Sequence, residues 1–255
     1  MVPIGENKIN EVKISARTTE FLEWIKTETG KPIHIEVTND IGANMSARYT
    51  TFPDEIKIGL SPSLLKDKDS IDNSVCHEAV HGLLEHKQGY YFPHVIEPLT
   101  IEESRLCSLV MTMINDIVVN KILSDNGFSP FSAKYIPQVQ REIKALNNNE
   151  DCYKEHLETG ITFYNKFKIF RYIMAWGFLK FYKLNEEDGK IISRYIKHFE
   201  RYLREHIDEV KDITKLVEGN DIFTAEGNLF VVTELFRRWG LSRKICFKNF
   251  HINNT

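Results

Sequence analysis

The residues best suited to chemistry in this 255-residue chain stand in one short run, Ser74-Val75-Cys76-His77-Glu78-Ala79-Val80-His81-Gly82-Leu83. On a helix, His77 and His81 lie one turn apart on the same face, so their imidazoles can converge on a single metal ion. Glu78 projects beside them without having to ligate. It is placed to take a proton from metal-bound water and to return it to a leaving amine. The pattern HExxH arises by chance in a chain of this length at a rate on the order of a few per cent, so its surroundings carry weight. Uncharged residues flank it on both sides, Gly82-Leu83-Leu84 is apolar rather than suited to a solvated face, a strand precedes the helix, and a later helix offers carboxylates.

With these residues in view, the chain resembles the zincin superfamily of zinc metallopeptidases, over about residues 18–124 in order of elements and most specifically at HExxH. The resemblance implies a small sheet above the motif helix, a third ligand from the next helix, Zn2+ as cofactor and a peptide or protein as substrate. It further implies that an extended substrate adds to the exposed edge of a strand at Ile56–Leu60 through backbone hydrogen bonds. The alternative is a helical interaction or regulatory protein that keeps the zincin shape and does not hydrolyse. Intact His77, Glu78 and His81 argue against it, because a pure binding protein has no chemical need for a general base.

A catalytic zinc site needs three protein ligands and one open position for water. Asp116 is the first candidate for the third, since it sits with Asn115 and Asn120 inside an otherwise apolar Leu109–Leu123, and a buried carboxylate is costly unless paired or bound to metal. Asp116-Ile117-Val118-Val119-Asn120 also resembles the DxxVN element that follows HExxH in a group of bacterial metallopeptidase-like proteins associated with von Willebrand-type domains. Two departures stand out: Thr112 replaces the usual asparagine, and the separation from the histidines is longer. Glu103 and then Glu102 are the next candidates, at a distance from His81 similar to the glutamate spacing of thermolysin-like zincins. Thr100-Ile101-Glu102-Glu103 is equally a capping box, which explains both acids without metal.

Where metzincins place a third histidine this chain has Lys87, and His86 is read as solvent-facing because it shares no helical face with the pair. Tyr90, Tyr91, His94 and Arg105 lie in segments from which an oxyanion could be stabilised, and sequence does not choose among them.

The elements that must position these groups follow from periodicity. A helix is expected over Thr18–Thr29, ended by Gly30 and Pro32. Ile33–Val37 and Ile56–Leu60 alternate like half-buried strands, with a third at Ser46–Thr51, which together predict a small antiparallel or mixed sheet. Ser70–His86 is the motif helix, the stretch through Gly89, Pro93 and Pro98 an irregular connection, and Thr100 to Leu123 a long apolar helix closed by Asn126-Gly127. Further helices are expected near Pro137–Leu146, Tyr153–Leu184, Glu186–Val217 and Thr224–Trp239. The aromatics Phe163, Phe167, Phe170, Trp176, Phe178 and Phe181 read as core. The fold class is thus α+β, with a zincin-like lobe at 1–130 and a helical lobe at 131–255; Asn147–Asp151 is the loop best suited to separate two lobes.

The composition is that of an ordinary globular protein, and a net charge of -3 shows no leaning toward nucleic acid or an acidic membrane. Met1–Lys13 lacks the basic and then apolar regions of a secretory signal, which points to the cytoplasm. No segment reads as apolar for long enough to span a bilayer, the nearest being Phe167–Phe181, broken by Lys168, Arg171 and Lys180. Cys76, Cys107, Cys152 and Cys246 have no CxxC spacing and are expected as reduced thiols.

Overall fold

A computed structural model of the chain describes residues 12–39, 47–66, 68–128 and 132–250, so Ser46 and most of Met1–Lys13 lie outside the described residues. The chain is α+β and divides into two compact units. Among the described residues the first takes in 12–39, 47–66, 68–92, 125–128 and 249–250, and the second 93–124 and 132–248.

The first unit opens with α1, Ala16–Thr29, whose start is capped by Ser15 through the backbone N–H of Thr18 and whose end is closed by Gly30. Phe21, Leu22 and Ile25 form its buried stripe. Three strands follow, β1 (Ile33–Val37), β2 (Ala47–Thr51) and β3 (Ile56–Leu60). Their spatial order is β1-β3-β2, with β1 parallel and β2 antiparallel to β3. The sheet is therefore mixed, and β3 is its middle strand. Ile56–Leu60 has no free edge, contrary to the expectation that substrate adds there; the edges belong to β1 and β2. The apolar Ile56, Ile58 and Leu60 are fully buried, as a central strand requires.

The motif helix α2, Lys68–His86, packs on this sheet and on α1. Its Asp72 accepts the backbone N–H of Ser15 at 2.9 Å, and Cys76 donates to the hydroxyl of buried Thr18 at 3.8 Å. Burial pushes the Cys76 thiol up to about 12, so it packs as a small apolar residue.

The second unit is dominated by helices: α3 (Ile101–Asp125, of which 101–124 belong here), α4 (Ser132–Asn147), α5 (Ile161–Phe181), α6 (Glu186–Tyr202), α7 (Ile207–Glu218) and α8 (Ala225–Arg238). The stretch expected to be irregular contains β4, Phe92–Val95, which pairs with β5, Ile245–Lys248, near the end of the chain. Asn147–Asp151 falls inside this unit, from the last residue of α4 onward, and does not separate the two units. Among the described residues, the helix long and apolar enough for a membrane span by length and composition is α3 rather than Phe167–Phe181, and most of its apolar stretch is buried within the protein, as in a core helix. In α5, Phe163 and Phe178 are core as expected, Phe167, Phe170, Trp176 and Phe181 are half-buried rather than core, and Lys168 and Arg171 are buried as well. All four cysteines are free.

Candidate metal centre

His77 is buried, at 4 % exposure, whereas Glu78 and His81 are half-buried. Helical geometry brings the two rings to a centroid separation of 5.0 Å, with their planes at 72°. Two imidazoles so placed can each give one nitrogen to a single ion, with metal–nitrogen bonds of about 2.0–2.1 Å.

Glu78 is held by β2. Its Oε2 accepts the backbone N–H of Tyr49 at 2.7 Å. Tyr49 stands opposite Ile58 in the antiparallel register, and since its N–H is given to Glu78 it is one of the outward-facing groups of this edge strand. The same residue touches the motif twice more. Its ring stacks on His81 at 6.3 Å and 10°, and its hydroxyl donates to Glu85 Oε2 at 2.9 Å. The Thr51 hydroxyl donates to the other Glu85 oxygen at 3.4 Å. Burial pushes the Glu85 carboxyl up to about 7, against the hydrogen bond from Tyr49 and the charge of His81. Burial, and then the negative charge of Glu85, likewise raises the Tyr49 phenol.

Gly82 sets how closely α2 approaches the sheet. A Cβ there would meet Ile56 side-chain carbons at 2.7 Å, so a larger residue must displace either Ile56 or the motif helix.

In the second unit the three acids considered for the third ligand have different surroundings. Glu103 accepts the Thr100 N–H at 2.8 Å and returns its own N–H to the Thr100 hydroxyl at 3.2 Å, which completes the capping box. Lys244 Nζ lies 2.7 and 2.9 Å from its two oxygens, and the bond from Lys244 holds this carboxyl below the usual range. Glu102 accepts the Phe163 N–H at 2.9 Å at the start of α5. Both acids thus have structural duties at helix ends. Asp116 is half-buried between the fully buried Ile114 and Ile117. Its backbone carbonyl and that of Ile117 accept the Tyr182 hydroxyl at 3.3 and 2.7 Å, and neighbouring Asn115 accepts from Asn228 at 3.1 Å. Tyr182, just past α5, and Asn228 of α8 therefore fix this part of α3.

His86 is buried, not solvent-facing, with its ring stacked on Phe250 at 4.5 Å and 3°. A helical-face argument does not see the returning end of the chain. Tyr90 is buried, His94 is exposed and Arg105 donates to the Thr159 hydroxyl at 2.9 Å. Tyr49, Thr51 and Glu85 were not singled out from sequence. Glu85 carried a signal, standing one turn beyond His81 on the same face; Tyr49 carried none beyond its place in a strand. Compared with family models, curated proteins and solved structures, the chain matches none.

Proposed function

We propose that this chain is a cytoplasmic zinc-dependent metallopeptidase of the zincin type, with His77, His81 and Asp116 as metal ligands and Glu78 as general base. The observation that carries this reading is the facing pair His77 and His81, with Glu78 anchored beside them by the N–H of an edge strand. Two nitrogens and one carboxylate are a donor set suited to zinc. The competing acids support the same choice, since Glu102 and Glu103 are engaged at helix ends.

Zinc bound by these residues would supply Lewis acidity, lowering the pKa of a water and polarising a carbonyl. Glu78 does the proton work. The Tyr49 N–H fixes Oε2 and so orients the carboxylate, leaving Oε1 to take the water proton and then deliver it to the leaving nitrogen. The Tyr49 ring stacks on His81 while its hydroxyl is held by Glu85, which braces the His81 ring. An extended peptide would add along an edge strand, β1 or β2, rather than along central β3, and at β2 the Tyr49 N–H is already engaged by Glu78.

The test is cleavage of a fluorogenic peptide library by zinc-loaded wild type and Glu78→Gln. Cleavage by wild type, lost by at least 1,000-fold (an order-of-magnitude expectation for removing a general base together with the charge it carries) while zinc content is unchanged, supports the enzyme. Equal cleavage by both proteins, or none by a fully zinc-loaded wild type, moves the non-hydrolytic interaction protein to first place.

A further inference from the structure

The second unit contains a cavity of about 250 Å³ whose walls include Cys152, Tyr153, Tyr164, Lys168, Tyr202 and Leu203. Lys168 is the unusual member. It is only 6 % exposed, and its ammonium lies 3.9 Å from the centroid of the Tyr164 ring. It has no hydrogen-bond or ion-pair partner among the described residues, whereas the other buried cation of α5, Arg171, donates to Glu142 at 2.9 Å. The side chain is drawn in while its ammonium has only the Tyr164 ring as a described partner. A lysine so placed can take one negative charge.

The acids at the rim do not provide it. Asp151 Oδ1 accepts the Tyr153 N–H at 3.0 Å and Oδ2 accepts the Tyr164 hydroxyl at 2.5 Å, while Glu150 accepts from Asn148 at 3.3 Å. Both residues are exposed and line the cavity. Their charge at the mouth disfavours a dianion or polyanion, yet leaves room for one charge at Lys168. The volume is just below the range of roughly 300–1,000 Å³ usual for ligand pockets, and tyrosine rings with Leu203 provide apolar walls.

We propose that this cavity binds a small organic monocarboxylate, its carboxylate paired with Lys168 and its apolar body against the rings of Tyr164 and Tyr202. The site is independent of the metal centre, and the inference does not rest on peptidase activity.

Isothermal titration of the full chain with acetate, benzoate and hexanoate tests it, with benzamide as the uncharged shape match for benzoate and inorganic phosphate as the dianion. Saturable one-to-one binding of at least one carboxylate is expected, at least ten-fold stronger for benzoate than for benzamide, stronger than for phosphate, and weakened at least ten-fold in Lys168→Met. The comparison of benzoate with benzamide needs only wild type, so it stands even where the variant fails to fold. The proposal is overturned if no carboxylate saturates, if benzamide matches benzoate, if phosphate binds more tightly, or if a folded Lys168→Met binds benzoate as wild type does. That last result would assign the carboxylate to the metal centre or another surface.

Discussion

Two carboxylates are drawn into this protein and met by tyrosine hydroxyls, and the two units treat them in opposite ways. In the second unit Glu142 is paired with Arg171 at 2.9 Å, with side chains 6 % and 5 % exposed, and Tyr153, hydrogen-bonded to Tyr195, donates to its other oxygen at 3.3 Å. In the first unit Glu85 receives Tyr49 and Thr51 hydroxyls but no lysine or arginine among the described residues, and its carboxyl rises to about 7. The first arrangement closes its own charge balance and acts as structure. The second is left open to a cation beside Glu78, Glu85 and two histidines, which is the electrostatic setting a metal ion would complete.

The comparison is broken most forcefully at the closed pair. Arg171→Met strands Glu142 in the interior and should cost about 3–5 kcal/mol, measured by urea unfolding, with much of the loss recovered in Arg171→Met/Glu142→Gln. A loss below about 1 kcal/mol would mean that the pair is already hydrated. Gly82→Ala drives a methyl into Ile56 and should cost about 1–3 kcal/mol, partly restored by Ile56→Val; an unchanged unfolding midpoint would show that α2 yields without resistance.

Glu85 gives the pH signature of the open cluster. Its ordinary value is 4.5 and its folded value about 7, so within that window the folded chain keeps a proton that the unfolded chain has released. Its contribution to stability is therefore full below about pH 4.5 and lost as pH rises through about 7. In metal-free protein the change should be about 3 kcal/mol, and Glu85→Gln should remove it. Parallel pH–stability curves for the two proteins would contradict the assignment. The smallest effect is expected for Tyr49→Phe, which removes one hydroxyl from Glu85 at a cost of about 1 kcal/mol and should raise the apparent pKa of Glu85 further, followed by carboxyl NMR.

Much of the first unit was legible because its signals are local. Ser15 and Gly30 bracket α1, alternation marks Ile33–Val37 and Ile56–Leu60, and HExxH lies on one helix face. What failed was non-local. Alternation does not state strand order, so it cannot show that β3 is central and without a free edge. β4 could not be recognised without β5, about 150 residues later in sequence by the strand ranges, and Phe250 covers His86 from the same distant end. Helix breaks were also hidden: Gly160, at φ 146° with Glu102 against it, divides the expected Tyr153–Leu184 helix, and Leu203 divides Glu186–Val217. At the candidate centre, His77, Glu78 and His81 could be named from spacing. The brace of Tyr49 and Glu85 depends on β2 lying beside α2, which no local pattern encodes.

The most direct test of the central claim is zinc per chain, by elemental analysis, in wild type, His77→Ala, Asp116→Ala and Glu103→Ala prepared without added metal. The account predicts near-stoichiometric zinc in wild type and in Glu103→Ala, and its loss in His77→Ala and Asp116→Ala, with all four proteins folded by circular dichroism. No zinc in wild type after reconstitution, or zinc lost in Glu103→Ala and kept in Asp116→Ala, would contradict it.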